Sequence, residues 1–584
     1  MTHGPLRDVP AVLARFDGTF SAFAGAFQDG QYVLWLGSGI SRDRVPNVGA
    51  LLDRVLELLR SNIVTDSADC VYRCALLEVL RLAGLTADDL SSIDYAQPVR
   101  DWPLRDRIIT ALIPNYARVF DVLVGDENPD DYLVWTGLDV PNTYGSPDLE
   151  PDVEHFCIAI LMLEGLVASA VTANWDGLLE KALGELAPAF DSLVRVAVRA
   201  EDFRIAGPPM EIIKFHGCAV RARKDEATYR DLLVARQSQI SGWTQQPRNR
   251  SMRKHLEALY TDRLTLMIGL SAQDANLQTV FATAIQDLAR PWPSTPPAVV
   301  LSEETLETHH RTLLKLTYSS NHQGNSAAIA ESALLGAYGK PTLLALVLDT
   351  LASKLGALLE FGLAAPGTAL TAEPLRAGLR SLRDAVSAHA DPQDREGLDY
   401  AAIADHQRDF VSRLIDVTSL ASTVFRTGRT NAAPGYQPVS DRPVKQAVHG
   451  ADFPAGQFGR LGVALALIGV GLASGEWSAM PGSTSAAGDG VMRLITDTRS
   501  VRLFFVKDGA TLTQLELDES FDESDGNVLV VVADEERRPF TRSPRSRYGR
   551  DGVPTGGRFN VASGLSETET ADELLEAFKL AGGF

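Results

Sequence analysis

Apolar residues gather along this chain in short, nearly unbroken runs that stop on glycine or on a polar side chain. Tyr32–Leu36 runs into Gly37-Ser38-Gly39-Ile40-Ser41, and Ala168–Ala173 runs into Asn174-Trp175-Asp176. Ile212–Phe215 stops at His216-Gly217, and Leu264–Ile268 stops at Gly269, with Ser271, Asp274 and Asn276 close behind. Such runs, without a two-residue alternation, predict strands covered on both faces, as in a parallel sheet. In an open parallel sheet the residues just past the carboxyl ends of the strands line the ligand crevice.

Helical periodicity fills the intervals. Val12, Leu13, Phe16, Phe20, Phe23 and Phe27 predict one leading helix over Ala11–Phe27, within an N-terminal segment 1–30, and Val48–Leu59 predicts an amphipathic helix. His155–Gly165 and Leu178–Leu186 read as helices on either side of the second strand. Strand and helix alternate, which predicts an α/β class with a Rossmann-like doubly wound parallel sheet over residues 31–290. Residues 66–153 break repeatedly, as at Asn128-Pro129-Asp130-Asp131, and predict a helical insertion over that sheet. Pro291-Trp292-Pro293-Ser294-Thr295-Pro296-Pro297 interrupts the chain; beyond it, Leu343–Leu363 and Leu375–Ala388 predict a mostly helical domain over 325–475. Val501–Lys507 and Ala510–Leu515 flank Asp508-Gly509 and predict a hairpin, because Asp-Gly tolerates the positive φ of a two-residue turn. With a third strand over Asn527–Ala533 and a last helix over Glu567–Ala581, residues 500–584 form a small α+β C-terminal module.

A length of 584 residues exceeds what one core supports, consistent with several domains. The net charge of −20 argues against a general nucleic-acid surface, which needs cations to displace counterions. The run Arg537–Arg550 is locally basic and reads as a solvated loop, with an acidic partner or nucleic acid as the alternative. No basic start followed by an apolar run opens the chain, so a cytoplasmic location is expected. Leu461–Gly475 is uncharged but shorter than the roughly 20 residues of a membrane span, so it reads as a buried helix or packed loop and no membrane partner is expected. Cys70, Cys74, Cys157 and Cys218 include one x3 pair and no second pair; all four read as buried thiols.

In chain order, Gly-x-Gly, Thr-x-Asn-x-Asp, Lys-x-His-Gly and Gly-x-Ser-x-x-Asp resemble the sirtuin (silent information regulator) superfamily of NAD-consuming enzymes across roughly residues 31–285. The likeness is closer to the bacterial sirtuin-like NAD hydrolases of antiphage defence than to the protein deacylases. Deacylases carry a structural zinc on two Cys-x-x-Cys pairs, and the module built on it shapes the acyl-lysine groove; four cysteines without a second pair imply no zinc here. The family's Asp-Phe-Arg stretch is also absent, because Ser41-Arg42-Asp43-Arg44-Val45-Pro46 stands in its place, and Asp43 and Arg44 receive no catalytic role.

The resemblance and the residues together assign the site. Gly37, Ser38, Gly39 and Ser41 let the backbone approach a pyrophosphate. Asn174 holds ribose hydroxyls or orients water, and Asp176 accepts from the nicotinamide amide, unless Asn174 merely caps the helix starting near Gly177. His216 is the expected base, because an unperturbed imidazole titrates near neutrality. Gly269, Ser271, Asp274 and Asn276 bind phosphate and the adenosine ribose, or else form a capped strand-to-helix turn. The implied reaction is NAD hydrolysis to nicotinamide and ADP-ribose. The resemblance further implies a homo-oligomer that depletes NAD on infection, working with a partner ATPase, an Argonaute-like protein or a phage-derived trigger. Two other readings stay open: a deacylase or ADP-ribosyltransferase, and a non-catalytic NAD or ADP-ribose sensor.

Overall fold

The structure, a computed structural model, describes residues 7–584 except 65–66, 68, 205–206, 272–274, 288–289, 365–369, 394–397, 431–434, 449–452, 483–489, 522–525 and 535–555. Asp274 and the basic run Arg537–Arg550 lie outside the described residues. Six strands form a wholly parallel sheet: β1 (Tyr32–Leu36), β2 (Ser169–Thr172), β3 (Val194–Ala197), β4 (Met210–Lys214), β5 (Leu264–Ile268) and β6 (Val299–Ser302). Their order is β3-β4-β2-β1-β5-β6. The chain crosses from one side of β1 to the other between β4 and β5, which makes the carboxyl ends of β1 and β5 the switch point where ligands of such sheets bind. Because Leu36 pairs with both Thr172 and Ile268, and Thr172 with Lys214, the residues after all four strands emerge side by side.

Both sheet faces are covered, as the unbroken apolar runs require. Leu34, Leu36, Ala170, Ile212 and Leu266 pack with the helices Val9–Asp17, Ser21–Gln28, Val153–Leu163, Leu178–Leu186 and Gly339–Leu363. Their neighbours Val33, Trp35, Val171, Ile213 and Met267 face the opposite layer, which includes Arg250–Asp262, Ala275–Asp287 and Thr308–Tyr318. β6 lies beyond residue 290, so the sheet outruns the 31–290 span drawn from the motifs. The leading helix is two helices, Val9–Asp17 and Ser21–Gln28; Gly18 ends the first, its N–H donating to Arg15 O. The described elements between residues 48 and 143 are all helices and own a separate core, which closes on Ala219, Ala222, Leu233 and Ala235 just past β4. Cys70, Cys157 and Cys218 are buried but Cys74 is exposed on the Val71–Leu82 helix, against the expectation of four buried thiols.

Four long helices dominate the region beyond the first sheet: Gly339–Leu363, Ala372–Ser387, Tyr400–Thr427 and Ala455–Ser474. Gly339–Leu363 and Ala455–Ser474 are long and apolar enough to cross a membrane, yet both are mostly buried and pack against one another; the second contains all but the last residue of the Leu461–Gly475 run, which is thus a buried helix. A second sheet follows with order β11-β10-β9-β8-β7, built from β7 (Ser478–Pro481), β8 (Met492–Ile495), β9 (Ser500–Val506), β10 (Val528–Val532) and β11 (Gly557–Asn560). The predicted hairpin is wrong. Asp508 accepts from Thr511 N at 2.9 Å and Thr511 Oγ1 accepts from Asp508 N at 3.1 Å, so Asp508 caps a helix, Gly509–Leu517, and β10 returns parallel to β9. An Asp-Gly pair serves both turns and caps, and Thr three residues later completes a reciprocal cap.

Candidate functional site

Glycine makes the switch point possible. A Cβ on Gly37 would lie 2.2 Å from Gly269 O, and one on Gly39 would lie 2.6 Å from Gly269 Cα. Gly269 itself has φ of +61°. Gly37 N and Gly39 N donate to Ile268 O and Gly269 O, both at 3.0 Å, so the two loops touch backbone to backbone. Ser38–Ser41 then forms a short 3-10 turn without a side-chain cap, with Ser38 exposed and Ser41 buried.

Asn174 reaches into that turn. Its Nδ2 donates to Gly37 O at 3.1 Å and to Ser41 Oγ at 3.3 Å. A main-chain carbonyl only accepts, so the amide nitrogen must face Gly37, and both amide hydrogens are used. The carboxamide oxygen is what Asn174 retains for a ligand. Asn174 does not cap the following helix; Asp176 Oδ1 accepts from Leu178 N at 3.2 Å instead. Lys214, buried at the end of β4, donates to Asp176 O and to Glu180 Oε1 and so pins this turn to its neighbour strand.

His155 completes the cluster, and nothing in the motif pattern singled it out. Its Nδ1 accepts from Asp152 N at 3.1 Å, which leaves Nε2 to carry the proton and donate to Ser41 Oγ at 3.2 Å. Burial holds the imidazole down at about 4, so it stays neutral at physiological pH. The available signal was local: His155 stands three residues after Asp152, at the position where a side chain reaches back to an N-cap amide.

His216 follows β4 and is only 5% exposed. Its ring lies 4.4 Å from that of Phe215 and 6.2 Å from that of Trp243, centroid to centroid. Asn276 Nδ2 lies 3.1 Å from His216 Nε2, which fixes the ring by one nitrogen. Asn276 thus touches the histidine, while Ser271 and Gly269 contribute to the wall of the adjoining cavity.

That cavity, about 300 Å³, opens over the carboxyl ends of β1, β5 and β6. Gly39, Arg42, Glu154, Ser302, Glu303, Tyr338, Lys340 and Tyr400 contribute to its wall. Lys340 is its most heavily paired group: Nζ lies 2.9 Å from Asp43 Oδ2, 3.1 Å from Asp152 Oδ2 and 3.0 Å from Glu154 Oε2. Burial pushes the Glu154 carboxyl up to about 7 against the pull of Lys340. Asp152 is buried too, but Lys340, the Val153 N–H and Arg408 overcome the burial and hold it at about 2. Burial likewise lifts Glu303 to about 7 despite Arg42. Among the described residues, no three His, Cys, Asp or Glu side chains are grouped to hold a metal.

With this geometry in place, comparison with known families is decisive for one stretch of the chain. Residues 168–322 match the SIR2-like domain. The match covers β2 to β6 and therefore Asn174, Asp176, His216, Gly269, Ser271 and Asn276. SIR2-like domains bind NAD, and the match is compatible with NAD-utilising chemistry. No curated protein matches the chain.

Proposed function

We propose that the chain hydrolyses NAD at the bond between nicotinamide and C1′ of its ribose. One observation carries the reading: on adjacent strand ends of the SIR2-like domain, Asn174 is fixed by Gly37 and Ser41, and His216 by Asn276. Scission of the bond leaves oxocarbenium character on the sugar, while nicotinamide departs neutral with the electron pair of the C1′–N bond. The Asn174 oxygen accepts a hydrogen bond from a ribose hydroxyl or from the attacking water. Water adds to C1′ and its proton passes to Nδ1 of His216, whose Nε2–H donates to Asn276 once that amide is turned to present its oxygen. The glycine crossing takes the pyrophosphate, and the cavity, on the side of that crossing away from His216, takes the adenosine half. In this proposal the enzyme is a cytoplasmic, self-associating, infection-triggered NAD-depleting effector. A partner ATPase, an Argonaute-like protein or a phage-derived molecule serves as its trigger.

The test is nicotinamide release from NAD by the full chain, with and without an acetylated peptide. Release without peptide, lost in Asn174→Ala and His216→Ala, is expected. Release that requires the peptide would make the protein a deacylase, and equal release by the wild type and both variants would remove this site from the chemistry.

A further inference from the structure

The cavity is not closed by the SIR2-like match alone. Tyr338 and Lys340 stand at the start of the Gly339–Leu363 helix, and Tyr400 opens the Tyr400–Thr427 helix; all three line the cavity and all lie beyond residue 322. The two sides are bonded together. Tyr400 Oη donates to Asp43 Oδ2 at 3.2 Å, Lys340 Nζ donates to the same oxygen at 2.9 Å, and the Arg42 guanidinium lies 5.5 Å from the centre of the Tyr400 ring. Asp43 and Arg42 belong to the segment directly after the glycine turn, so the helical region fixes the loop that leaves that turn. A second line of contacts leaves Lys340 for the reaction centre. Lys340 meets Asp152, the Asp152 N–H meets His155, His155 meets Ser41, and Ser41 meets Asn174, each link between 3.1 and 3.3 Å.

We propose that Tyr400 and Lys340 are nucleotide-site residues supplied by the C-terminal helices: Tyr400 walls the adenosine half, and Lys340 is a positioning residue that preorganises the Ser41–Pro46 loop. This rests on the NAD reading above. Preorganisation of the loop lowers the ordering cost of binding, so its loss is read chiefly in affinity. Removing Lys340 outright strips partners from Asp152 and Glu154 and threatens the fold; Tyr400→Phe and Asp43→Asn cut the same latch from its exposed side and leave that buried pairing in place.

The experiment measures ADP-ribose binding by calorimetry on the full-length wild type, Tyr400→Phe, Asp43→Asn and Asn174→Ala. ADP-ribose lacks the scissile bond, so the readout does not depend on hydrolysis. Affinity about tenfold weaker in Tyr400→Phe and Asp43→Asn is expected, with NAD KM raised and kcat held within about threefold. A merely structural role would lower kcat through loss of folded protein and leave KM in place. Affinities within twofold of the wild type in both variants would overturn the inference, as would a wild type that binds no ADP-ribose. Failure of the hydrolase reading shows separately, as absent nicotinamide release by a wild type that binds normally.

Discussion

The same local device, a parallel strand turning into a helix, occurs after β1 and again after β9, and the two are chemically opposite. After β1, Gly37 and Gly39 bring the backbone against Gly269, and the Ser38–Ser41 turn has no side-chain cap. After β9, Asp508 places its carboxylate on the helix start and satisfies the Thr511 amide. A carboxylate placed on a helix start repels phosphate, and the uncapped turn after β1 carries no such charge. Strand topology alone therefore marks neither as a site; the residues spent on the turn decide.

The sharpest way to break the comparison is to disable the β1–β2–β4 side. Asn174→Ala and His216→Ala should each reduce nicotinamide release by about 10²–10⁴-fold, the range for losing a positioned proton-transfer or orienting group, with far-ultraviolet circular dichroism unchanged. Retained turnover in either removes that residue from the mechanism. His155→Phe comes next. It deprives Ser41 of its donor and lets Asn174 rotate, and a misplacement of about 1 Å costs about 10²-fold in kcat. Wild-type kcat in this variant would show that Asn174 does not depend on the cluster.

The third prediction concerns pH. His155 is depressed to about 4, so its contribution is complete above the unfolded value near 6.5 and is lost as pH falls through 4, by up to about 3 kcal/mol. Glu154 is raised to about 7; its contribution is complete below an unfolded value near 4.5 and is lost as pH rises through 7. Glu303, also raised to about 7, acts in the same sense as Glu154, so between pH 6.5 and 4.5 the two carboxylates outweigh His155 and the wild-type Tm should rise as pH falls. In Glu154→Gln, Glu303 and His155 oppose each other, and Tm should be nearly flat over that range. Parallel Tm profiles for the two proteins would refute the Glu154 contribution.

The smallest effect belongs to the other turn. Asp508→Ala should cost about 1 kcal/mol of stability, as loss of an N-cap does, and leave NAD cleavage per folded molecule unchanged.

Sequence reading recovered what is encoded locally. The four strand ends and the positions of Gly37, Asn174, His216 and Gly269 followed from apolar runs that stop abruptly. It failed where the partner is remote or the local signal is shared. Asp508-Gly509 suits a hairpin and a cap equally until Thr511 is seen to answer Asp508. The contact of Asn276 with His216 spans 60 residues and could not be read from its place after Gly269. Lys340 meets Asp43 across 297 residues, a pairing that no periodicity encodes.

Gly339–Leu363 begins at the cavity over β1, β5 and β6 and ends in the core of the second sheet, where Leu358, Leu359 and Leu363 pack with β9 and β10. Its 25 residues make a rod of about 37 Å. Near its far end it is gripped by the Ala455–Ser474 helix, so closely that a Cβ on Gly459 would lie 2.2 Å from Leu358 O. Its other end is held as firmly, because Leu343–Leu348 are buried in the core of the first sheet, so one continuous helix belongs to both cores and neither can shift without straining the other.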